Sequence, residues 1–163
     1  AKTDWELGER LLHVDLLTPL RLMNLAVTRM PERGGSIVNI SSMAGRVPLR
    51  GCSYYGAAKA GLEMASKIAG LELKARGIHV LTVLPGPVRS ALEARARAQV
   101  PKTQIGEQLP TGEPEELAIR IERALVQKRA RLVYPRIYAL ADCLVSISSC
   151  FTAAVSPEPT DEP

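Results

Sequence analysis

Residues 53–59 read Ser-Tyr-Tyr-Gly-Ala-Ala-Lys and open a long predicted helix. Residues four apart on a helix lie on one face, so Tyr55 and Lys59 are expected to project side by side. A fixed ammonium stabilises the phenolate form of a neighbouring phenol, which suits such a pair to acid–base chemistry. Because this spacing also arises often by chance, the pair gains meaning only from the segments around it.

A strand is predicted on each side of this helix. The β-branched run 36–41 is followed by a turn in which Ser41 is expected to cap the strand end. The helix itself should extend over 53–76. A second strand, 78–84, is stopped by the Pro-Gly-Pro sequence of residues 85–87.

Further elements are predicted outside this unit. An apolar helical pattern covers residues 5–30 and is interrupted by Pro19, which should kink it. A helix is expected from Pro114 to about Gln127, followed by a short strand at 132–134.

The order helix, strand, helix, strand, helix, strand predicts an α/β fold: a doubly wound, Rossmann-like parallel sheet with helices on both faces. In open sheets of this kind, ligands bind beyond the carboxyl ends of the strands. The serine turn after the first strand, the Pro-Gly turn after the second and the start of the Tyr/Lys helix should all meet at that edge.

Composition excludes several classes of function. The net charge of +4 is small and scattered, and aromatic residues make up only 4%, which argues against nucleic-acid binding. The three cysteines are odd in number and widely spaced, so they predict neither a disulfide framework nor a Cys-x-x-Cys metal pair. No metal site is expected, and a reducing, cytoplasmic setting is the default.

From about residue 5 to residue 134, the chain resembles the short-chain dehydrogenase/reductase family. Three motifs carry the resemblance, in the family's order and spacing: Ile-Val-Asn-Ile-Ser-Ser-x-Ala-Gly at 37–45, Tyr-x-x-x-Lys-Ala at 55–60, and Pro-Gly-Pro-Val-x-Ser at 85–90. The resemblance implies hydride transfer between a nicotinamide cofactor, NAD or NADP, and a small-molecule carbonyl/alcohol substrate.

The resemblance also implies roles for individual residues. Tyr55 would exchange a proton with the substrate oxygen, and Lys59 would assist it and bind the nicotinamide ribose. Ser42, thirteen residues before Tyr55 as in the family, would hydrogen-bond the substrate oxygen. Beside Tyr55 and Lys59, the residues expected to contact the cofactor are Pro85, Gly86, Val88 and Ser90.

The chain departs from the family pattern in two places. Where family members usually carry an asparagine that completes a proton relay to the lysine, this sequence has Asp15. A carboxylate can accept a hydrogen bond from Lys59 or water but cannot donate one as an amide does. The second departure is that no Thr-Gly-x-x-x-Gly-x-Gly turn is present. We therefore expect a C-terminal portion of a longer enzyme, without tight dinucleotide binding by itself.

The expected organisation is a partial Rossmann-like domain at 1–136, an apolar helix at 137–156 and a disordered, acidic, Pro-rich tail at 157–163. Asp142 and several serines make a membrane span costly. The apolar segment is therefore interpreted as a docked or oligomer-forming helix, an interfacial membrane helix or, least favoured, a span. Cytoplasmic localisation with possible membrane contact follows.

Two alternatives to a catalytic function stay open. The chain could be a non-catalytic fragment serving as an oligomerisation module, since the family commonly forms homo-oligomers through the helices that correspond to 5–30 and 53–76. A membrane-associated lipid or sterol reductase is the weaker alternative and depends on the apolar tail alone.

Overall fold

The computed structural model describes residues 4–98 and 110–144. Short 3₁₀ turns at Met43–Gly45 and Lys74–Arg76 and a π-helical turn at His13–Leu17 join the regular elements. The helices are α1 (Trp5–Leu12), α2 (Thr18–Arg29), α3 (Ser53–Glu72), α4 (Ala91–Ala98), α5 (Pro114–Val126) and α6 (Tyr138–Cys143). The strands are β1 (Gly35–Ile40), β2 (Ile78–Pro85) and β3 (Arg131–Tyr134).

The three strands form one parallel sheet in the order β1-β2-β3. Ile40 pairs with Val83 and Pro85 with Tyr134, so the carboxyl ends of neighbouring strands lie at a common edge. The predicted α/β fold is therefore confirmed. Each predicted strand begins or ends within one residue of its observed bounds.

Alternating residues of β2 build a hydrophobic core on each face of the sheet. Ile78 and Val80 pack with Ile37 and with Ala69 of α3, and side chains of α2 cover this cluster. Leu81 and Val83 point the other way, into a cluster with Ala124 of α5. The period of two that sends neighbouring strand residues to opposite faces thus explains why the sheet is covered on both sides.

The long N-terminal helix is interrupted earlier than the sequence indicated. We expected a kink at Pro19, but the irregular turn is the π-helical segment His13–Leu17, and Pro19 already lies in the first turn of α2. Proline has no N–H to bond the carbonyl four residues before it, which here is that of Asp15. The helix accommodates the missing bond upstream by widening, and π-helical turns of this kind often occur at functional sites.

The C-terminal helix α6 docks onto the domain through Tyr138, whose ring lies against Gly86, and through the buried acid Asp142. Asp142 is 8% exposed and accepts hydrogen bonds from Arg46, at 2.9 Å, and from Arg131. In the described part of the segment the helix packs on the domain, whereas residues 145–163, which include much of the expected apolar helix and the predicted tail, lie outside the described residues. Among the described helices, none has the length and apolar character needed to cross a membrane.

Asp142 gives the protein an acid-sensitive contact. Burial alone would raise the pKa of the Asp142 carboxyl, but the hydrogen bonds and charges of Arg131 and Arg46 outweigh burial and lower that pKa below its usual value. A lowered folded-state pKa means that the stabilisation is present above the unfolded pKa of about 3.9. It is lost as the pH falls through the lower, folded value.

We therefore expect Asp142→Asn to reduce the free energy of unfolding at neutral pH. The difference from the wild type should shrink as the pH falls below about 4. Urea unfolding at pH 7 and at a series of acidic pH values measures both quantities. A difference that does not depend on pH would contradict the assignment of the contact to the ionised carboxylate.

Candidate active site

Lys59 is the centre of the site and is fixed by contacts from two other elements. The residue is only 9% exposed, and its Nζ donates to the Ile40 carbonyl at 3.2 Å. The same Nζ lies 2.9 Å from Oδ1 of Asp15, which belongs to the π-helical turn. It also lies 5.6 Å from the centroid of the Tyr55 ring, one helical turn earlier on α3. The structure thus brings Asp15, Tyr55 and Lys59 together at the carboxyl end of β1.

Ser42 begins the 3₁₀ turn that follows β1. Its Oγ accepts a hydrogen bond from the Ala44 amide at 3.1 Å, so Ser42 and not Ser41 caps this turn, which corrects the expectation. Ser41 is buried and donates instead to the carbonyl of Lys59 at 2.7 Å. The bond from Ala44 occupies a lone pair of the Ser42 oxygen, which leaves the hydroxyl proton for donation to a substrate oxygen.

The serine turn, defined as residues 41–46, is packed directly onto α3. A Cβ on Gly45 would lie 2.7 Å from the backbone nitrogen of Ala60 and 2.9 Å from the carbonyl carbon of Lys59. A Cβ on Gly56 would lie 3.0 Å from the Ala44 carbonyl oxygen. Glycine at these places lets the two backbones approach, and this close contact sets Ser42 relative to the helix that bears Tyr55 and Lys59.

The predicted nicotinamide-side residues follow β2 at the same edge of the sheet. Pro85 is the last residue of β2, and the Gly86 amide donates to the Tyr134 carbonyl at 2.7 Å. Val88 forms an isolated parallel bridge with Gly112. Ser90 lies further along, where its Oγ accepts from the Glu93 amide at 3.1 Å and caps α4. The loop is therefore anchored on one side by backbone bonds, and the visible role of the Ser90 side chain is that of a cap.

Tyr134 anchors this loop, a role that the sequence analysis missed. The residue is 2% exposed, and its hydroxyl accepts from the Glu113 amide and donates to the Glu116 carboxylate, each at 2.9 Å. Burial, followed by the hydrogen bond to Glu116, raises the pKa of Tyr134, which keeps the phenol protonated and donating. The ring also lies directly against Gly112, where a Cβ would overlap it. The one sequence signal for this anchoring role was the position of the tyrosine at the end of a short strand.

The neighbouring phenol, Tyr54, has a different environment. Its ring packs edge-on against Trp5 at 6.3 Å between centroids and covers Gly8 of α1. Tyr54 therefore fastens the first helix to α3 and faces away from the charged group of Lys59.

The chain is similar in sequence and in fold to known proteins. The family model described as short chain dehydrogenase matches residues 1–101. The chain belongs to this family. Over 110 residues it is 33% identical to trans-4-hydroxycyclohexanecarboxylate dehydrogenase of Sinomonas cyclohexanicum, covering 68% of this chain and 42% of that protein.

Solved structures of short-chain dehydrogenases support the same fold. A short-chain dehydrogenase from Streptomyces avermitilis superimposes with a TM-score of 0.73 at 31% identity, over 93% of this chain and 62% of that one. One from Sphingobium yanoikuyae, in complex with NADPH, gives a TM-score of 0.72 at 27% identity, over 98% and 62%. The chain thus spans less than two thirds of these structures and less than half of the curated relative described above.

Proposed function

We propose that this chain supplies the catalytic centre of an NAD(P)-dependent short-chain oxidoreductase acting on a carbonyl/alcohol pair. One observation carries the proposal above all: the Lys59 ammonium is held between the Asp15 carboxylate and the Ile40 carbonyl, beside the ring of Tyr55. The serine turn is fastened to the same helix through Ser41 and Gly45.

In this proposal, Tyr55 is the acid in the reduction direction and the base in oxidation. The nicotinamide, when bound, supplies or accepts the hydride. Tyr55 gives its hydroxyl proton to the oxygen of the substrate carbonyl, and Lys59 stabilises the phenolate that remains. Ser42 donates its hydroxyl proton in a hydrogen bond to the same substrate oxygen and stabilises the charge that develops there.

The residues present fit the nicotinamide half of such a cofactor. Lys59 has three N–H donors, and its contacts with Ile40 and Asp15 use two of them. The third can reach a ribose hydroxyl at the carboxyl end of β1. The loop 86–88 offers backbone groups beside it and is held from behind by Tyr134 and Gly112. The printed sequence holds no glycine-rich turn for the pyrophosphate, so only the nicotinamide half is assigned to these residues.

The test is an assay of the full-length gene product with NADH and NADPH against a panel of ketones and aldehydes. We expect oxidation of one of the two cofactors that depends on the carbonyl substrate and on Tyr55. A folded product that oxidises neither cofactor with any panel member and binds neither in titration calorimetry would contradict the proposal.

Asp15 gives a separate prediction, because it stands where the family usually has asparagine. Asp15→Asn keeps an oxygen that can accept from Lys59, so we expect kcat/KM to change by less than about tenfold. Asp15→Ala leaves the buried ammonium with the Ile40 carbonyl as its remaining partner, and we expect a loss of about 10²-fold. Steady-state kinetics of the two variants checks this order, and equal losses would show that the carboxylate charge, and not the hydrogen bond, is what Lys59 requires.

A second candidate, a non-catalytic oligomerisation module, is favoured by the apolar surface of the helices. Large hydrophobic side chains of the π-helical turn, α2 and α3 are strongly exposed: Val14 at 67%, Leu22 at 60%, Met64 at 57% and Leu71 at 78%. Exposed apolar patches of this kind are typical of protein–protein interfaces. Homo-oligomerisation through these helices is compatible with either function.

Sedimentation equilibrium of the wild type and of Leu71→Glu tests the assembly. We expect an oligomer for the wild type and dissociation for the variant. The same measurement on Val126→Glu, whose side chain is 79% exposed on α5, provides the control on the opposite face. A monomeric wild type would exclude this interface.

A further inference from the structure

Five charged side chains from four parts of the fold meet beneath the serine turn. Arg46, on the turn itself, has its Nε 2.9 Å from Oδ1 of Asp142 on α6 and 3.4 Å from Oε2 of Glu63 on α3. Arg131, at the start of β3, also contacts both acids. Lys67 completes the cluster at 2.7 Å from Oε1 of Glu63.

The two acids of this cluster are almost fully buried. Glu63 is 3% exposed and Asp142 is 8% exposed, whereas the side chains of Arg46 and Arg131 keep 26% and 30% exposure. A buried carboxylate that loses its partner is left unpaired in a poorly solvated place, which strongly disfavours that state. Arg46 therefore cannot turn outward to water without leaving Asp142 and Glu63 less well compensated.

The backbone of Arg46 closes the turn that Ser42 opens. The amides of Arg46 and Val47 both donate to the Met43 carbonyl, at 2.9 and 3.1 Å. The side chain of Arg46 thus ties the end of the turn to α6, while Gly45 and Ser41 tie its middle and start to α3. Beyond Arg46, the same loop lines an open groove of about 780 Å³ together with Gly56 and Ala60 of α3.

We propose that Asp142 is a positioning residue for Ser42: through Arg46 it holds the serine turn, and one wall of the adjoining groove, against α3. The C-terminal helix thereby controls the orientation of a hydroxyl one hundred residues earlier in the chain. The catalytic consequence rests on the proposed function, whereas the mechanical link between α6 and the turn does not.

Hydrogen exchange of the wild type and of Asp142→Asn tests the link. We expect the amides of Arg46 and Val47 to exchange about tenfold faster in the variant, while amides in the middle of α3 keep their protection. Lys67→Gln is the matched control, because it removes a charge from the same cluster without touching the turn or α6. Its turn amides should exchange as in the wild type.

Two further variants keep the test decisive. Asp142→Glu retains the charge and should restore most of the protection. Arg46→Lys cannot bond two acids with a planar fork, so it should loosen the turn even if Asp142→Asn does not fold. The link would be overturned if the turn amides exchanged at the same rate in the wild type and in the folded variant, Asp142→Asn or Arg46→Lys. It would also be overturned if Lys67→Gln accelerated their exchange as much as Asp142→Asn does.

Kinetics of the full-length protein separate this proposal from the proposed function. We expect Asp142→Asn to lower kcat about tenfold, and Asp142→Glu, which retains the charge, to recover most of that loss. A loosened turn in a protein with no oxidoreductase activity contradicts the proposed function alone. An active enzyme with a loosened turn and unchanged kcat contradicts the positioning role alone.

Discussion

Replacing Tyr55 by phenylalanine should lower kcat/KM for the carbonyl substrate by roughly 10²–10⁴-fold, the usual contribution of a positioned general acid or base. The substitution removes one hydroxyl and keeps the ring beside the Lys59 ammonium, 5.6 Å from its centroid. Ser42, Lys59 and Asp15 all keep their contacts, so the lost rate reports the proton transfer itself. Steady-state kinetics with the full-length protein measures the effect, and calorimetric titration of the cofactor should show binding reduced far less than turnover.

Tyr54→Phe is the matched control, because it removes the same atom from the preceding residue. That ring packs against Trp5 and Gly8, and its position away from Lys59 gives the hydroxyl no part in the chemistry. We expect the kcat/KM of this variant to stay within about threefold of the wild type, as for an ordinary peripheral change. If Tyr55→Phe retained full activity, or if both variants lost it equally, the acid–base role of Tyr55 would be wrong.

The sheet and its edge could be predicted because their signals are local. The first two strands are short runs rich in β-branched residues, the third is a short apolar run stopped by Pro135, and the spacing of Tyr55 and Lys59 places them on one helix face whatever surrounds it. A contact of Asp15 with Lys59 was one of the alternatives left open, and the structure realises it at 2.9 Å. The functional roles of these residues remain predictions.

Other features depend on contacts between distant residues and could not be read from local patterns. The pairing of Arg46 with Asp142 joins residues 96 apart in sequence, and no periodicity encodes it. That Ser42, and not Ser41, caps the turn after β1 depends on a 3₁₀ turn that packs closely on α3 at Gly45. The first helix is interrupted upstream of Pro19, because a π-helical turn compensates for the missing backbone hydrogen bond. The sequence was equally compatible with a sharp kink at Pro19.

Replacing Gly45 by alanine should damage both stability and activity, because the new methyl group would meet helix backbone that cannot move aside. Its Cβ would lie 2.7 Å from the Ala60 nitrogen and 2.9 Å from the Lys59 carbonyl carbon, closer than van der Waals contact allows. The serine turn must then lift away from α3. We expect a loss of about 1–3 kcal/mol in the free energy of unfolding, as for other overpacked sites. A displacement of about 1 Å at Ser42 should reduce kcat about 10²-fold.

Gly70→Ala, on the same helix, supplies the comparison that isolates this steric effect. A Cβ at that position would lie 3.7 Å from Val80, an ordinary contact. Since alanine is the better helix former, we expect Gly70→Ala to stabilise the protein by about 0.5–1 kcal/mol and to leave kcat unchanged. If the close packing of Gly45 on α3 sets the position of Ser42, urea unfolding should show Gly45→Ala destabilised and Gly70→Ala stabilised. Steady-state kinetics should show a loss of kcat for Gly45→Ala only. Stabilisation by both substitutions would mean that the turn has room to move, and that the orientation of Ser42 is set elsewhere.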